Sequence, residues 1–293
     1  EYRVRIAVEA GETYSERGTF TVSGKFRIEK ADQTATITAE STTIKANETT
    51  TVSAEGYGEV SYSSSNEEIA TVTRNEDGTA TVTAHKAGTV TISASFDGDA
   101  NHNATKEPAT VEITVTLADQ TATVTAESTS IQVSETTTLT ATGHGTVSYS
   151  SSDDTIATVD ENGVVTGHKV GTATITASFT GNDVYGEATA TVDITVTQAN
   201  QTGVEISFNP ETVVVHGTTT VVGNGKGIGA VTYSSSDKEI ATVDENGLVT
   251  ALKAGDVTIT AHYAGNEDYL PVDASKVLSI GKAIQNNVSI EFT

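Results

Sequence analysis

Apolar and polar residues alternate with a period of two along much of the chain. From Thr172 to Phe179, Ala173, Ile175, Ala177 and Phe179 fall on one side, and Thr172, Thr174, Thr176 and Ser178 on the other. Successive side chains of a β-strand point to opposite faces, so this pattern predicts a strand with one face in a core and one in water. The same pattern returns as Val90, Ile92, Ala94 and Phe96, and again as Val257, Ile259, Ala261 and Tyr263. A second alternating run follows in each case, as in Val111, Ile113 and Val115 or Val192, Ile194 and Val196. No stretch carries the 3.6-residue spacing of an amphipathic helix.

These strands sit in a repeat. Tyr-Ser-Ser-Ser begins at Tyr62, Tyr149 and Tyr233, 87 and then 84 positions apart. Ile-Ala-Thr-Val follows at Ile69 (with Thr after Val), Ile156 and Ile240, then a turn at Asn75 to Gly78, Glu161 to Gly163 or Glu245 to Gly247. Asn-Gly and Asp-Gly pairs tolerate positive φ, so each turn predicts a tight hairpin. Arg74 to Thr79 is longer than its counterparts and predicts a longer loop or a bulge. A Lys-x-Gly turn (Lys86, Lys169, Lys253) opens the strictest strand, and a short polar connector such as Ala118-Asp119-Gln120-Thr121 or Ala199-Asn200-Gln201-Thr202 ends the unit. About seven short strands per unit, with turn signals between them, is the signature of a two-sheet sandwich. The expected organisation is all-β: tandem immunoglobulin-like β-sandwiches forming an elongated rod. Residues 1–30 read as the last strands of a preceding unit, 31–116, 117–197 and 198–282 as complete units, and 283–293 as the first strand of a following one.

Tyr149-Ser150-Ser151-Ser152, Ile156-Ala157-Thr158-Val159, Asn162-Gly163-Val164-Val165-Thr166 and Gly171-Thr172-Ala173-Thr174-Ile175 together resemble the group 2 bacterial immunoglobulin-like domain family. The resemblance covers nearly the whole chain. Where many members carry Trp before the serine run, this chain has Tyr62, Tyr149 and Tyr233, which implies a smaller aromatic anchor between the sheets. The family implies a place in surface proteins: stalks of adhesins, modules beside secreted glycosidases, or appendages of phage particles.

Charge narrows the partners. The net charge of -23 opposes a phosphate backbone, which is bound through Lys and Arg, so nucleic acid is excluded as a partner. It also repels an anionic membrane surface, and no apolar run is long enough to span a bilayer. With no cysteine, neither a disulfide framework nor a thiolate metal site is available.

Internal repetition tests each candidate for chemistry. His85 and His168 are equivalent, but Leu252 takes their place in the third unit. His102, His144, His216 and His262 read as unrelated positions, and no Ser/His/Asp set can be assembled. The adjacent acids Asp153-Asp154, Asp160-Glu161 and Asp244-Glu245 fall in turns, without the burial that would separate their pKa values for hydrolysis. Asp97, Asp99 and Asn101 open like a calcium loop, with oxygens at alternate positions. The pattern then lapses, because Pro108 stands where a bidentate Glu is needed and the equivalent loops, 180–186 and 264–269, do not repeat it. Gly223 to Gly229 looks like a phosphate loop but lacks its Gly-Lys-Ser/Thr ending and a following helix, so a widened turn is expected. Tyr57 and Tyr185 are the aromatics left for a sugar or protein ligand.

The sequence therefore points to no catalytic residue and no required cofactor, with calcium at Asp97, Asp99 and Asn101 the one metal candidate. The expected role is a non-catalytic spacer or stalk of an extracellular bacterial surface protein, adhesin-like, presenting a distal module. The expected partners are the adjacent repeats and host-surface or cell-envelope components. The alternatives are a decoration or tail module of a phage virion, or a module that binds carbohydrate or a host protein.

Overall fold

The computed structural model describes residues 29–283. The strands expected within 1–28 and 284–293 lie outside the described residues.

Eight strands build the first sandwich: β1 (Thr36–Ala39), β2 (Thr43–Lys45), β3 (Thr49–Glu55), β4 (Val60–Ser64), β5 (Ala70–Arg74), β6 (Ala80–Ala84), β7 (Gly88–Phe96) and β8 (Ala109–Thr116). One sheet runs β1-β3-β6-β5 and the other β2-β8-β7-β4. All neighbours are antiparallel except β2 and β8, which run parallel with Thr43, Ile44 and Lys45 beside Thr114, Val115 and Thr116. The second and third sandwiches repeat this order strand for strand. The count is eight rather than seven because the opening segment is divided between sheets, with β1 in one and the three-residue β2 in the other.

β-Branched residues fill these strands because their stiff side chains pack well on a pleated, half-buried surface. Val90, Ile92, Ala94 and Phe96 of β7 are buried, as are Ala173, Ile175, Ala177 and Phe179 in the second sandwich. The Thr and Ser between them face outward. Tyr62, Tyr149 and Tyr233 are half-buried and pack against the cores, so the recurrent tyrosine is a packing residue. The Tyr62 hydroxyl donates to the Gly78 carbonyl at 3.0 Å, tying the anchor to the hairpin. Truncating a fully buried isoleucine such as Ile175 to Ala costs about 2–5 kcal/mol.

The hairpins form where expected. Gly78, Gly163 and Gly247 take φ of 87°, 78° and 76°. The first hairpin leaves Asn75 to Thr79 between β5 and β6, one residue more than the Asp160 to Gly163 and Asp244 to Gly247 loops. Asp77 caps the longer loop by accepting from the Thr79 amide and hydroxyl. In the Gly223 to Gly229 loop, a Cβ on Gly227 would fall 2.2 Å from the Tyr263 ring, so the glycine lets the backbone lie on that ring.

Candidate functional site

The site with repeated, specific geometry is the junction between sandwiches. It is built from the connector and from the loop that joins the counterparts of β7 and β8.

The connector alanine becomes a one-residue strand. Ala118 donates its amide to the Val184 carbonyl at 2.8 Å and accepts from the Gly186 amide at 2.9 Å. Ala199 does the same with Asp268 and Leu270, and Ala31 with Asn101 and Asn103. An alanine suits the position because its methyl turns into the end of the preceding core, where Ala118 and Ala199 are 9% and 7% exposed.

Two residues on, a glutamine clamps two loops at once. The Gln201 side-chain carbonyl accepts from the Ile228 amide at 2.6 Å, and its NH2 donates to the Leu270 carbonyl at 2.7 Å. Gln120 holds the His144 amide at 2.6 Å and the Gly186 carbonyl at 2.5 Å. Gln33 holds the Tyr57 amide at 2.8 Å and the Asn103 carbonyl at 2.7 Å. A primary amide is the right group because it carries an acceptor and donors side by side, matching a backbone N–H and a backbone C=O. Read from sequence, these glutamines were only part of a polar connector. Their recurrence was the available signal.

The clamped loop then reaches the preceding sandwich. Val184 and Tyr185 pack against the first core, and Tyr269 against the second. The Ala87 amide donates to the Asp183 carbonyl at 2.8 Å, and the Val170 amide to Asp268 Oδ1 at 3.0 Å. Ion pairs frame the contact: Lys45 to Asp119 at 2.5 Å, Lys86 to Asp183 at 3.1 Å and Lys169 to Glu267 at 3.8 Å. The hydrogen bond that Lys45 donates to Asp119 raises the Lys45 pKa above its ordinary value, and the bond to Asp183 does the same for Lys86. The Lys-x-Gly turn, which opens a strand, is thus also the receiving face of a junction.

The residues singled out for chemistry are occupied within these loops. Asp99 Oδ1 accepts from the Asn101 and His102 amides at 2.8 and 2.7 Å. Asn182 and Asn266 close the equivalent loops in the same way. The hydrogen bond donated by the Asn101 backbone amide holds the Asp99 carboxyl below the usual range. Asp97 Oδ1 accepts from the Glu59 amide at 2.7 Å, and the Asn101 carbonyl accepts from Ala31. The Asp97 and Asp99 carboxylates are thus engaged by three different backbone amides, those of Glu59, Asn101 and His102, and the Asn101 main-chain carbonyl by a fourth, that of Ala31. Among the described residues no group of three or more His, Asp or Glu converges to hold a metal.

Among the paired acids, the Thr155 hydroxyl lowers the pKa of Asp153 and the Val164 amide lowers that of Asp160. This direction keeps both ionised, whereas a general acid near neutral pH needs its pKa raised. His85 and His168 hydrogen-bond the strand hydroxyls of Thr71 and Thr158 at 2.9 and 2.8 Å.

His102 and His144, unrelated by position in the repeat, turn out to serve the same loop pair. Tyr57 stacks on His102 with ring centroids 3.6 Å apart, and His144 stacks on Tyr185 at 3.8 Å. The two partners have exchanged loops between the first and second sandwiches. Tyr185 is therefore part of a junction, while Tyr57 is 52% exposed.

The model for the bacterial Ig-like domain (group 2) matches residues 26–108, 110–192 and 193–272. The chain is 27% identical over 154 residues to ice-binding protein 1 of Shewanella frigidimarina, a match covering 48% of this chain and 16% of that protein. It is 34% identical over 116 residues to an uncharacterized Clostridium acetobutylicum protein, covering 39% of this chain and 12% of that one. The chain thus spans less than a fifth of the length of these curated relatives. Similar solved structures include the Escherichia coli adhesin FdeC, with 18% identity and a TM-score of 0.28, covering 84% of this chain and 96% of that one. The surface layer protein SbsC, domains 1–6, shows 17% identity and a TM-score of 0.27, covering 85% and 40%.

Proposed function

The chain belongs to the bacterial Ig-like domain (group 2) family, and on that premise we propose that it is a non-catalytic spacer: a rod of sandwiches in an extracellular bacterial surface protein, holding a distal module away from the envelope. The observation that carries this reading is the junction. The same alanine bridge, glutamine clamp and inserted aromatic occur at both described interdomain contacts. A string of domains joined by short, hydrogen-bonded connectors resists bending more than one joined by flexible linkers. The candidate chemical groups support it too, since they are engaged in closing turns and loops. A net charge of -23 keeps a long exposed rod soluble and discourages lateral association.

The matched segments make up small fractions of their curated relatives, as expected of repeats carried within much larger proteins. An adhesin-like stalk is the surface role we favour over a virion module. Immunogold labelling with antibody to this chain should decorate the cell envelope, and label confined to virions would overturn that assignment. The spacer role is tested in the parent protein. Replacing these repeats with unrelated sandwiches of equal length should preserve the activity of the distal module, while shortening the array should weaken it. Loss of activity on an equal-length replacement would sink the spacer reading.

A further inference from the structure

Three Asn-Gly pairs occur in the chain: Asn162-Gly163, Asn224-Gly225 and Asn246-Gly247. Asparagine is a chemically labile residue, and such a pair carries its own chemistry. The glycine nitrogen can reach the asparagine side-chain carbonyl carbon through a five-membered ring, and glycine sets no side chain in the way. Two of the three pairs are locked. The Gly163 amide donates to the Asp160 carbonyl and the Gly247 amide to the Asp244 carbonyl, each at 3.1 Å, inside hairpins that the Asp160 and Asp244 carboxylates close. Both glycines also lie against a ring, since an added Cβ would meet Tyr149 at 3.2 Å and Tyr233 at 3.1 Å. Attack by either nitrogen would have to break the turn and push the ring aside.

Asn224-Gly225 differs at each of these points. Both residues are exposed, in the loop 223–229. Among the described residues the Gly225 amide has no acceptor, and a Cβ built on Gly225 would meet nothing within 4 Å, so the backbone has room to turn. The side chain is presented by two bonds. Asn224 Oδ1 accepts from the Lys226 amide at 3.2 Å, and Nδ2 donates to the Gly203 carbonyl at 2.7 Å. The first of these draws electron density from the carbonyl carbon and supports the oxyanion that attack creates. Lys226 Nζ lies beside Gly203, 3.1 Å from where a Cβ would stand, so a positive charge adjoins the reacting amide.

We propose that Asn224 is a site of spontaneous deamidation, the one of the three pairs that folding leaves reactive. Hydroxide takes the Gly225 amide proton, and the nitrogen bonds to Asn224 Cγ. The Cγ–Nδ2 bond then breaks, and Nδ2 takes a proton from water and leaves as ammonia. A water molecule opens the resulting succinimide at Cγ to give aspartate, or at the main-chain carbonyl carbon to give isoaspartate. Either product lacks the donor to the Gly203 carbonyl and sets a carboxylate against it. The Asn224 amide also donates to the Glu205 carbonyl at 3.0 Å. The same step therefore unfastens the loop from the segment that enters the third sandwich. The inference does not depend on the spacer reading.

The test incubates the full, folded chain at mildly alkaline pH and follows the three pairs by peptide mass mapping, with isoaspartate resolved by electron-transfer fragmentation. Asn224 should convert several-fold faster than Asn162 and Asn246, whereas in urea the three rates should converge. Comparable rates in the folded chain overturn the proposal. A lead of Asn224 that persists in urea overturns it as well, because neighbouring sequence rather than the fold is then responsible. N224D carries one of the two products and should lose hydrogen-exchange protection at the amide of residue 224. Unchanged protection there overturns the release of the loop.

Discussion

At the first junction, Lys45 and Lys86 reach Asp119 and Asp183, and Tyr185 enters stacked on His144. At the second, the corresponding lysine pair is Lys169 with Glu267 at 3.8 Å, and other contacts take over. Gln198 donates to the Asn266 carbonyl at 2.9 Å, and the Asp268 carboxylate accepts from the Val170 amide. The alanine bridge, the glutamine clamp and the inserted tyrosine stay the same. Exposed ion pairs contribute little and are readily exchanged, whereas an unpaired backbone group beside a core costs about 1–3 kcal/mol. What the two junctions keep is the pairing of the connector with its own loops, and what they vary is the solvated trim.

The largest break in that frame should come from the glutamines. Gln201→Ala leaves the Ile228 amide and the Leu270 carbonyl without their partner at a site where the residue is 9% exposed. A loss of about 1–3 kcal/mol is expected in the third sandwich, read by urea unfolding followed with hydrogen exchange. Gln120→Ala, at a half-buried position, should cost less in the second. Equal and negligible effects would dissolve the distinction between frame and trim.

The stacked pair allows a finer test. Exchanging its members in H144Y/Y185H reproduces the arrangement of Tyr57 and His102 and should be tolerated, while His144→Ala and Tyr185→Ala should each destabilise. A double-mutant cycle should show a coupling of about 0.5–1.5 kcal/mol between the rings, and no coupling would reduce the stack to coincidence.

Smaller effects follow from the ions. Both Lys45 and Lys86 have raised pKa values. Their contribution is complete below the unfolded lysine pKa of about 10.4 and is lost as pH climbs through the raised folded value. Small-angle scattering should therefore show the first junction loosening in that alkaline window, and also in high salt, which screens exposed pairs. No loosening of the first junction in either condition would contradict its ionic component. The smallest effect is expected from calcium. Additions up to about the millimolar affinities of extracellular calcium modules should give no calorimetric binding signal at Asp97, Asp99 and Asn101, because the Asp97 and Asp99 carboxylates already accept from backbone amides.

The repeat, the strands and the core faces were legible because a half-buried strand writes its burial into every second residue. The tyrosine anchors and the long first hairpin were legible for the same local reason. β2 was not: three residues give no period, and its parallel partner β8 lies some seventy positions away. The junction was half legible. Its glutamines recur in the sequence, but an amide at a connector reads the same whether it faces water or two loops. The His–Tyr stacks were hidden because the partners sit on different loops and trade places between sandwiches, so neither residue repeats alone.

The parallel pairing of β2 with β8 has a mechanical consequence. These strands lie next to the two ends of the sandwich, so tension along the chain pulls them in opposite directions. Their hydrogen bonds are loaded in shear, all together, rather than peeled one after another. Each sandwich is thereby braced against stretching along the direction a tether would be pulled. The brace is shortest in the third, where only Val213 and Val214 pair with Ile280 and Gly281, against three residue pairs in each of the other two. Under steady force the third sandwich should yield first and absorb extension before its neighbours rupture.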